Sequence, residues 1–75
     1  MGRFRRESRK IKLVRALQHY GVTIKSGSRH DLAICEQGRA VIPRHTKSKD
    51  YVTEDVANLL LKVGATEEDL LNRLF

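Results

Sequence analysis

The stretch VTIKSGSRHDLAICEQGRAVIP, residues 22–43, decides the fold because apolar and polar residues alternate along it in three short runs. The runs are residues 22–25, 30–35 and 39–42. Residues 26–28 predict a turn between the first two runs, and residues 36–38 predict a tight hairpin between the last two. Pro43 ends the third run, since proline has no N–H to continue a ladder. The stretch therefore predicts an antiparallel meander of three strands.

An amphipathic helix is predicted before the meander. Leu13, Leu17 and Tyr20 follow one another at intervals of four and three residues, which places them on one face of a helix. Gly21 comes next and is the residue type that most often ends a helix in a left-handed conformation. We therefore expect a helix from Ser8 onward that ends at Gly21.

Two further helices are predicted after the meander. Residues 44–50 are polar and basic, and we expect them to form a loop. Thr53 is expected to cap a helix that runs to Val63 and stops at Gly64. Thr66 is expected to cap a short last helix.

The predicted order of elements is helix, three strands, helix and a C-terminal helical extension. One face of a three-stranded sheet can cover both amphipathic helices. The sequence thus predicts an α+β fold of α-β-β-β-α order, in which the antiparallel sheet carries the helices on one face and a short C-terminal helix follows. A chain of 75 residues is expected to form one domain, residues 1–75, with an extension at 65–75. Residues 1–8 are a basic tail, for which disorder is one interpretation.

The chain is strongly basic, with 15 lysines and arginines against 9 acidic residues and a formal net charge of +6. Seven of the basic side chains lie within residues 1–15, whereas the C-terminal third is acidic. Such an excess predicts a polyanionic partner at the N-terminal and middle parts of the chain. We expect this partner to be nucleic acid, and RNA in particular, in preference to an anionic membrane surface.

The composition disfavours several functional classes. Cys35 is the single cysteine, which excludes an internal disulfide and favours a reducing compartment. His19, His30 and His45 are not spaced as metal ligands on one element, so we expect no metal and no cofactor. No apolar run reaches the length of a membrane span and no secretory signal is evident, so we expect a cytoplasmic protein without a membrane partner.

RNA cleavage needs few protein groups, because the nucleophile is the 2′-hydroxyl of the substrate itself. A general base that titrates near neutral pH, together with cations around the phosphate, meets most of the requirement. His30 is the candidate base. It follows the Gly27–Ser28 turn, whose amides and hydroxyl can hold a phosphate, and Arg29 lies beside it.

A structural role for His30 is the competing interpretation. His30 shares its strand parity with Leu32 and Ile34, so it points towards the edge of the core if those two residues face the helices. The residues alone favour this interpretation. Four basic residues are expected to flank the opening of the sheet as a second basic cluster, namely Arg39, Arg44, Lys47 and Lys49.

Three short motifs in a fixed order resemble the HicA family of bacterial and archaeal toxins. They are GSRH at residues 27–30, GR in the hairpin at residues 38–39 and IPRH at residues 42–45. The similarity covers roughly residues 9–63, and its specificity comes from the order and spacing of the motifs.

The resemblance implies a fold like that of double-stranded-RNA-binding domains, metal-independent cleavage of mRNA, and a HicB-like antitoxin protein as the neutralising partner. It implies that His30 is the catalytic general base. The residues that would hold RNA are Gly27, Ser28, Arg29, Arg39, Arg44 and Lys47.

The sequence departs from the family pattern in one respect. Arg29 occupies the usual position of the histidine, and His30 comes one residue later, a shift that reverses the side-chain direction on a strand. Either the turn absorbs the extra residue, or the chain is an RNA-binding module that does not cut. A protein-interaction domain for an acidic partner is a further alternative.

Overall fold

Eight helices and strands follow one another in the part of the chain that the computed structural model describes, residues 3–44 and 47–75. They are β1 (Ser8–Arg9), α1 (Lys10–His19), β2 (Thr23–Ser26), β3 (His30–Cys35), β4 (Gly38–Pro43), β5 (Lys47–Ser48), α2 (Asp50–Val63) and α3 (Glu67–Leu74). Strands β2, β3 and β4 form an antiparallel sheet in that order, and β1 pairs with β5 in a separate two-stranded ribbon. The predicted α+β class with its three-stranded antiparallel sheet is confirmed, and the ribbon is an addition to it.

One face of the sheet is covered by the helices and carries small or aliphatic side chains. Ala33 of β3 pairs with Ala40 of β4 at its centre, and Ile42 is fully buried two residues further along β4. The helices contribute most of the large side chains that are fully buried, which are Leu13, Leu17, Val56, Leu60, Leu70 and Leu74. Burial of one such side chain stabilises the fold by about 1.5–3 kcal/mol, so this covered face is the main source of stability.

The opposite face of the sheet, the open face, carries Leu32 and Ile34. Side chains alternate along a strand, so these two point away from Ala33, which is fully buried. Both are partly exposed and do not belong to the buried core. The two central alanines let the helices approach the sheet closely, which a leucine at the same place would prevent. The interpretation that Leu32 and Ile34 face the helices and bring His30 to the core edge is therefore wrong.

Two helix starts show where local signals succeed and where they fail. Helix α3 begins as predicted, since the Asp69 N–H donates a hydrogen bond to Thr66 Oγ1 at 3.2 Å. Helix α2 begins at Asp50, and Thr53, which we expected to cap it, is buried within the helix. The reason is β5, which occupies part of the predicted loop and leaves Lys49 extended, so that the helix starts directly after the ribbon.

The remaining boundaries lie close to their predicted positions. Strand β3 has the predicted bounds, and β2 and β4 differ from them by one residue at each end. Gly21 and Gly64 follow α1 and α2 with φ angles of 77° and 124°, which confirms the predicted stops. Within the described residues, no helix combines the length and the apolar character needed to cross a membrane.

The segment before α1 packs against the C-terminal part of the chain. Phe4 is buried in the core, and Ser8 pairs with Ser48 across the ribbon. Ser8 Oγ also donates a hydrogen bond to the carbonyl of Leu74 at 2.6 Å. Residues 3–8 therefore do not form a disordered tail in the structure, because the buried Phe4 side chain and the β1–β5 ladder hold the segment in place.

Acidic residues of α2 and α3 neutralise part of the N-terminal charge. Arg3 Nη1 lies 2.8 Å from Glu67 Oε1, and Arg5 Nη1 lies 3.1 Å from Glu54 Oε1. Exposed pairs of this kind contribute only about 0–1 kcal/mol each. The pairing nevertheless changes the interpretation of the charge distribution, since these two arginines face the acidic third of the chain instead of a polyanion.

Candidate functional site

The turn that joins β2 to β3 positions the predicted phosphate-binding residues. The Gly27 N–H donates a hydrogen bond to the His30 carbonyl at 2.9 Å and closes the turn. A Cβ at position 27 would lie 2.6 Å from that carbonyl oxygen, so only glycine fits without a shift of the backbone. Ser28 and Arg29 stand at the tip of the turn and are exposed. The predicted motif is thus a single turn with a defined backbone.

His30 is the first residue of β3, and its exposed side chain lies on the open face. It belongs to the wall of a depression of about 400 Å³ on the surface. The lining residues are Gly27, Ser28, Arg29, His30, Asp31, Leu32 and Val41. The structure therefore brings together four of the predicted site residues, and the imidazole is accessible to a ligand there.

The strand register arranges the open face in three rows. The first row holds His30 and Pro43, the second Lys25, Leu32 and Val41, and the third Thr23, Ile34 and Arg39. None of these eight residues is acidic. Leu32 and Val41 thus form an apolar strip between cations, and Val41 is 49% exposed.

Lys25 and Arg39 lie at different distances from His30. With ordinary strand spacings, the Cα atom of Lys25 is about 8 Å from that of His30, and the Cα atom of Arg39 is about 14 Å away. Lys25 and His30 are therefore close enough to contact one phosphate-sized group, whereas Arg39 is too far from His30 to contact the same group. Both side chains are exposed.

Asp31 follows His30 and points to the covered face, where its side chain is only 13% exposed. Lys10 Nζ donates a hydrogen bond to Asp31 Oδ2 at 2.6 Å, and Arg44 Nε donates to Oδ1 at 3.3 Å. The hydrogen bond from Lys10 is the main reason why the pKa of Asp31 lies below its usual value, and Arg44 acts in the same direction. A carboxylate that stays ionised thus holds two cations beside the turn.

The other predicted residues lie outside the depression. Arg44 directly follows β4, and its Nη2 donates a hydrogen bond to the carbonyl of Gly27 at 2.6 Å. Lys47 lies in the ribbon, with its Nζ 3.3 Å from Glu7 Oε1. His45, the last residue of the IPRH motif, lies outside the described residues. Across residues 3–44 and 47–75, no three His, Cys, Asp or Glu side chains are grouped as a metal site would require.

Three residues near the site were not predicted. Lys25 could have been found, because the hairpin register places it on the open face in the row next to His30. Lys10 and Asp31 meet across 21 residues of sequence, and no local pattern indicates such a contact.

Comparisons of the chain with protein-family models, with curated proteins and with solved structures gave no match. The resemblance to the HicA family therefore stays a prediction.

Proposed function

We propose that this chain is a metal-independent endoribonuclease that cleaves mRNA in the cytoplasm and acts as the toxin of a HicA/HicB-type pair. The observation that supports this proposal is the placement of His30. Its imidazole is exposed on the open face and shares a depression with Gly27, Ser28 and Arg29. A base, an exposed serine in the adjacent turn and a cation are groups that can assist cleavage by the 2′-hydroxyl.

In the proposed reaction, a ring nitrogen of His30 accepts the proton of the ribose 2′-hydroxyl. The resulting 2′-oxygen attacks the adjacent phosphorus, and the bond from phosphorus to the 5′-oxygen of the next nucleotide breaks. Water supplies the proton for that departing oxygen. The products are a 2′,3′-cyclic phosphate and a 5′-hydroxyl, and no metal or redox partner takes part.

Cations of the open face stabilise the charge that develops on the phosphate. Arg29 stands at the tip of the turn, and Lys25 lies one row from His30. Arg39 binds a neighbouring phosphate and thereby fixes the path of the RNA across the open face. Preorganised cations around a reacting phosphate typically contribute more to catalysis than they contribute to binding in water.

A HicB-like antitoxin is the proposed protein partner. The apolar strip of Leu32 and Val41 lies between cations, and Val41 is 49% exposed. A protein that covered this strip with apolar and acidic side chains would also cover His30. Neutralisation would then follow from exclusion of the RNA.

The test compares the parent with His30→Ala on single-stranded RNA in the presence of a chelator. We expect the parent to cleave and the variant to be slower by about 10²–10⁴-fold, the usual contribution of a general base. Cleavage is followed on gels, with detection of the cyclic phosphate ends. In cells, the parent should arrest growth, His30→Ala should not, and coexpression of a HicB-like protein should relieve the arrest.

His19→Ala is the matched control, since His19 lies at the end of α1 and contacts Arg73 of α3 instead of the open face. It should cleave like the parent. The proposal is wrong if His30→Ala cleaves as fast as His19→Ala. RNA that is shifted in a gel but stays intact would instead favour a non-catalytic RNA-binding module, and indifference to RNA with tight binding of an acidic protein would favour an interaction domain.

A further inference from the structure

We propose that Asp31 is the positioning residue of the site and that, through Arg44, it fixes the Gly27–His30 turn and hence the direction of the His30 imidazole. This inference rests on the proposed function, in which His30 is the base. It assigns to Arg44 a structural link instead of the phosphate contact expected from the sequence.

Asp31 connects three segments that are distant in sequence. It lies in β3, Lys10 begins α1, and Arg44 follows β4. Both carboxylate oxygens are occupied, because Lys10 contacts Oδ2 and Arg44 contacts Oδ1. The start of the strand is therefore fixed from the helix side and from the far edge of the sheet at once.

The link from Asp31 to the turn passes through one guanidinium. Arg44 Nε donates to Asp31 while its Nη2 donates to the Gly27 carbonyl at 2.6 Å. Gly27 in turn donates its N–H to the His30 carbonyl at 2.9 Å. A closed path thus runs from Asp31 through Arg44 and Gly27 back to His30.

Successive strand residues point to opposite faces, so Asp31 and His30 do not touch each other through their side chains. Asp31 is therefore no partner that tunes the imidazole directly. Its influence on catalysis is through backbone geometry, and a reactant displaced by about 1 Å can lose about 10²-fold in rate.

We expect removal of the Asp31 charge to lower turnover without weakening the binding of RNA. Without the carboxylate, Lys10 and Arg44 repel each other, and Arg44 is released from the turn. The released guanidinium adds a free cation beside the depression. We therefore expect Asp31→Asn to lower kcat by about 10–100-fold while KM for RNA stays unchanged or falls.

The experiment measures kcat and KM for the parent, Asp31→Asn, Arg44→Gln and Glu68→Gln. Glu68 is exposed on α3, and its substitution changes the net charge as Asp31→Asn does. Amide hydrogen exchange at Gly27 gives a readout that does not depend on activity. We expect faster exchange at Gly27 and a lower kcat in Asp31→Asn and Arg44→Gln, and parent-like behaviour in Glu68→Gln.

Arg44→Gln keeps the inference testable even if Asp31→Asn does not fold, because the Arg44 side chain is 46% exposed. A rise in KM with unchanged kcat in Arg44→Gln would show a phosphate contact and overturn the inference, as would parent-like kinetics of Asp31→Asn. If the parent itself leaves RNA intact, the proposed function fails. In that case amide hydrogen exchange at Gly27 is the remaining test of the link from Asp31 through Arg44 to the turn. Faster exchange in Asp31→Asn and Arg44→Gln supports the link, and unchanged exchange overturns it.

Discussion

The covered face and the open face of the sheet are built from alternate residues of the same strands, yet their side chains differ in kind. On the covered face, small or aliphatic residues such as Ala33, Ala40 and Ile42 are buried against the helices. On the open face, Lys25 and Arg39 flank larger aliphatic side chains that remain partly exposed.

The buried residues that stabilise the fold and the exposed residues proposed to bind RNA thus have opposite parity along the same strands. The stability of a chain of 75 residues is about 4–11 kcal/mol, and most of it has to come from burial on one face. The open face contributes little to that sum. Cations and exposed aliphatic residues can therefore be kept there for binding without a large loss of stability.

The largest expected effect is a difference in the free energy of unfolding between substitutions at two neighbouring positions, one on each face of the sheet. Ile42→Ala removes a fully buried side chain and should lower the free energy of unfolding by about 2–5 kcal/mol. Val41→Ala shortens a side chain that is 49% exposed and should change it by at most about 1 kcal/mol. Urea unfolding followed by circular dichroism measures both values. Equal losses in the two variants would show that the open face is covered in solution.

The order of elements could be predicted from the sequence because it depends on local signals. Alternation, helical spacing and the glycines after α1 and α2 are readable within a few residues. The face that each strand presents was not readable in this way. Leu32 and Ile34 form the more apolar set of β3, and only the close approach of the helices over Ala33 explains why the smaller residue faces inward.

The candidate site divides along the same line. Residues 27–30 could be predicted as a unit because they are contiguous. The contact of Lys10 with Asp31 and the ribbon of β1 with β5 could not, because each joins segments that meet only after the chain has folded. For the same reason, the position of Lys47 could not be predicted. It was expected beside the opening of the sheet, but it lies in the ribbon and pairs with Glu7 of the N-terminal segment.

A smaller effect is expected for the cations of the open face. Lys25→Ala and Arg39→Ala should each weaken the binding of single-stranded RNA about fivefold, which corresponds to about 1 kcal/mol. Each should also reduce the slope of log K against log salt concentration by about 0.7, the value for one phosphate contact on a single strand. Titrations with the His30→Ala variant as background avoid cleavage during the measurement.

Arg15→Ala is the control for these two variants. Arg15 is exposed on α1, away from the open face, and the substitution removes the same charge. It should weaken binding less and leave the slope nearer to that of the background. If Arg15→Ala reduced the RNA affinity and the salt-dependence slope as much as Lys25→Ala, the open face would not be the RNA-binding surface.

The smallest expected effect is on the pH dependence of stability. It concerns two aspartates, Asp31 and Asp69, that each accept hydrogen bonds from two other side chains. Tyr20 and Arg73 donate hydrogen bonds to Asp69, as Lys10 and Arg44 do to Asp31. The pKa of Asp69 lies below its usual value, chiefly because of the hydrogen bond from the Tyr20 hydroxyl and then that from Arg73. The pKa of Asp31 is lowered in the same way, chiefly by Lys10.

The sign of the pH dependence follows from these lowered values. A carboxyl whose pKa is lower in the folded chain stabilises the fold fully above its unfolded value of about 3.9 and loses this contribution as the pH falls through the folded value. The free energy of unfolding should therefore fall on acidification below about pH 4. Asp69→Asn and Asp31→Asn should each make that fall shallower in urea unfolding at a series of pH values.

Asp69→Asn and Asp31→Asn should differ in their effect on catalysis. Asp69 joins α3 to the end of α1, whereas Asp31 holds the turn that carries His30. Asp69→Asn should therefore alter the pH dependence of stability and leave kcat at the parent value under conditions where it is fully folded. A loss of kcat in Asp69→Asn as large as that in Asp31→Asn would mean that the helix layer as a whole, and not the Asp31 link, determines the geometry of the turn.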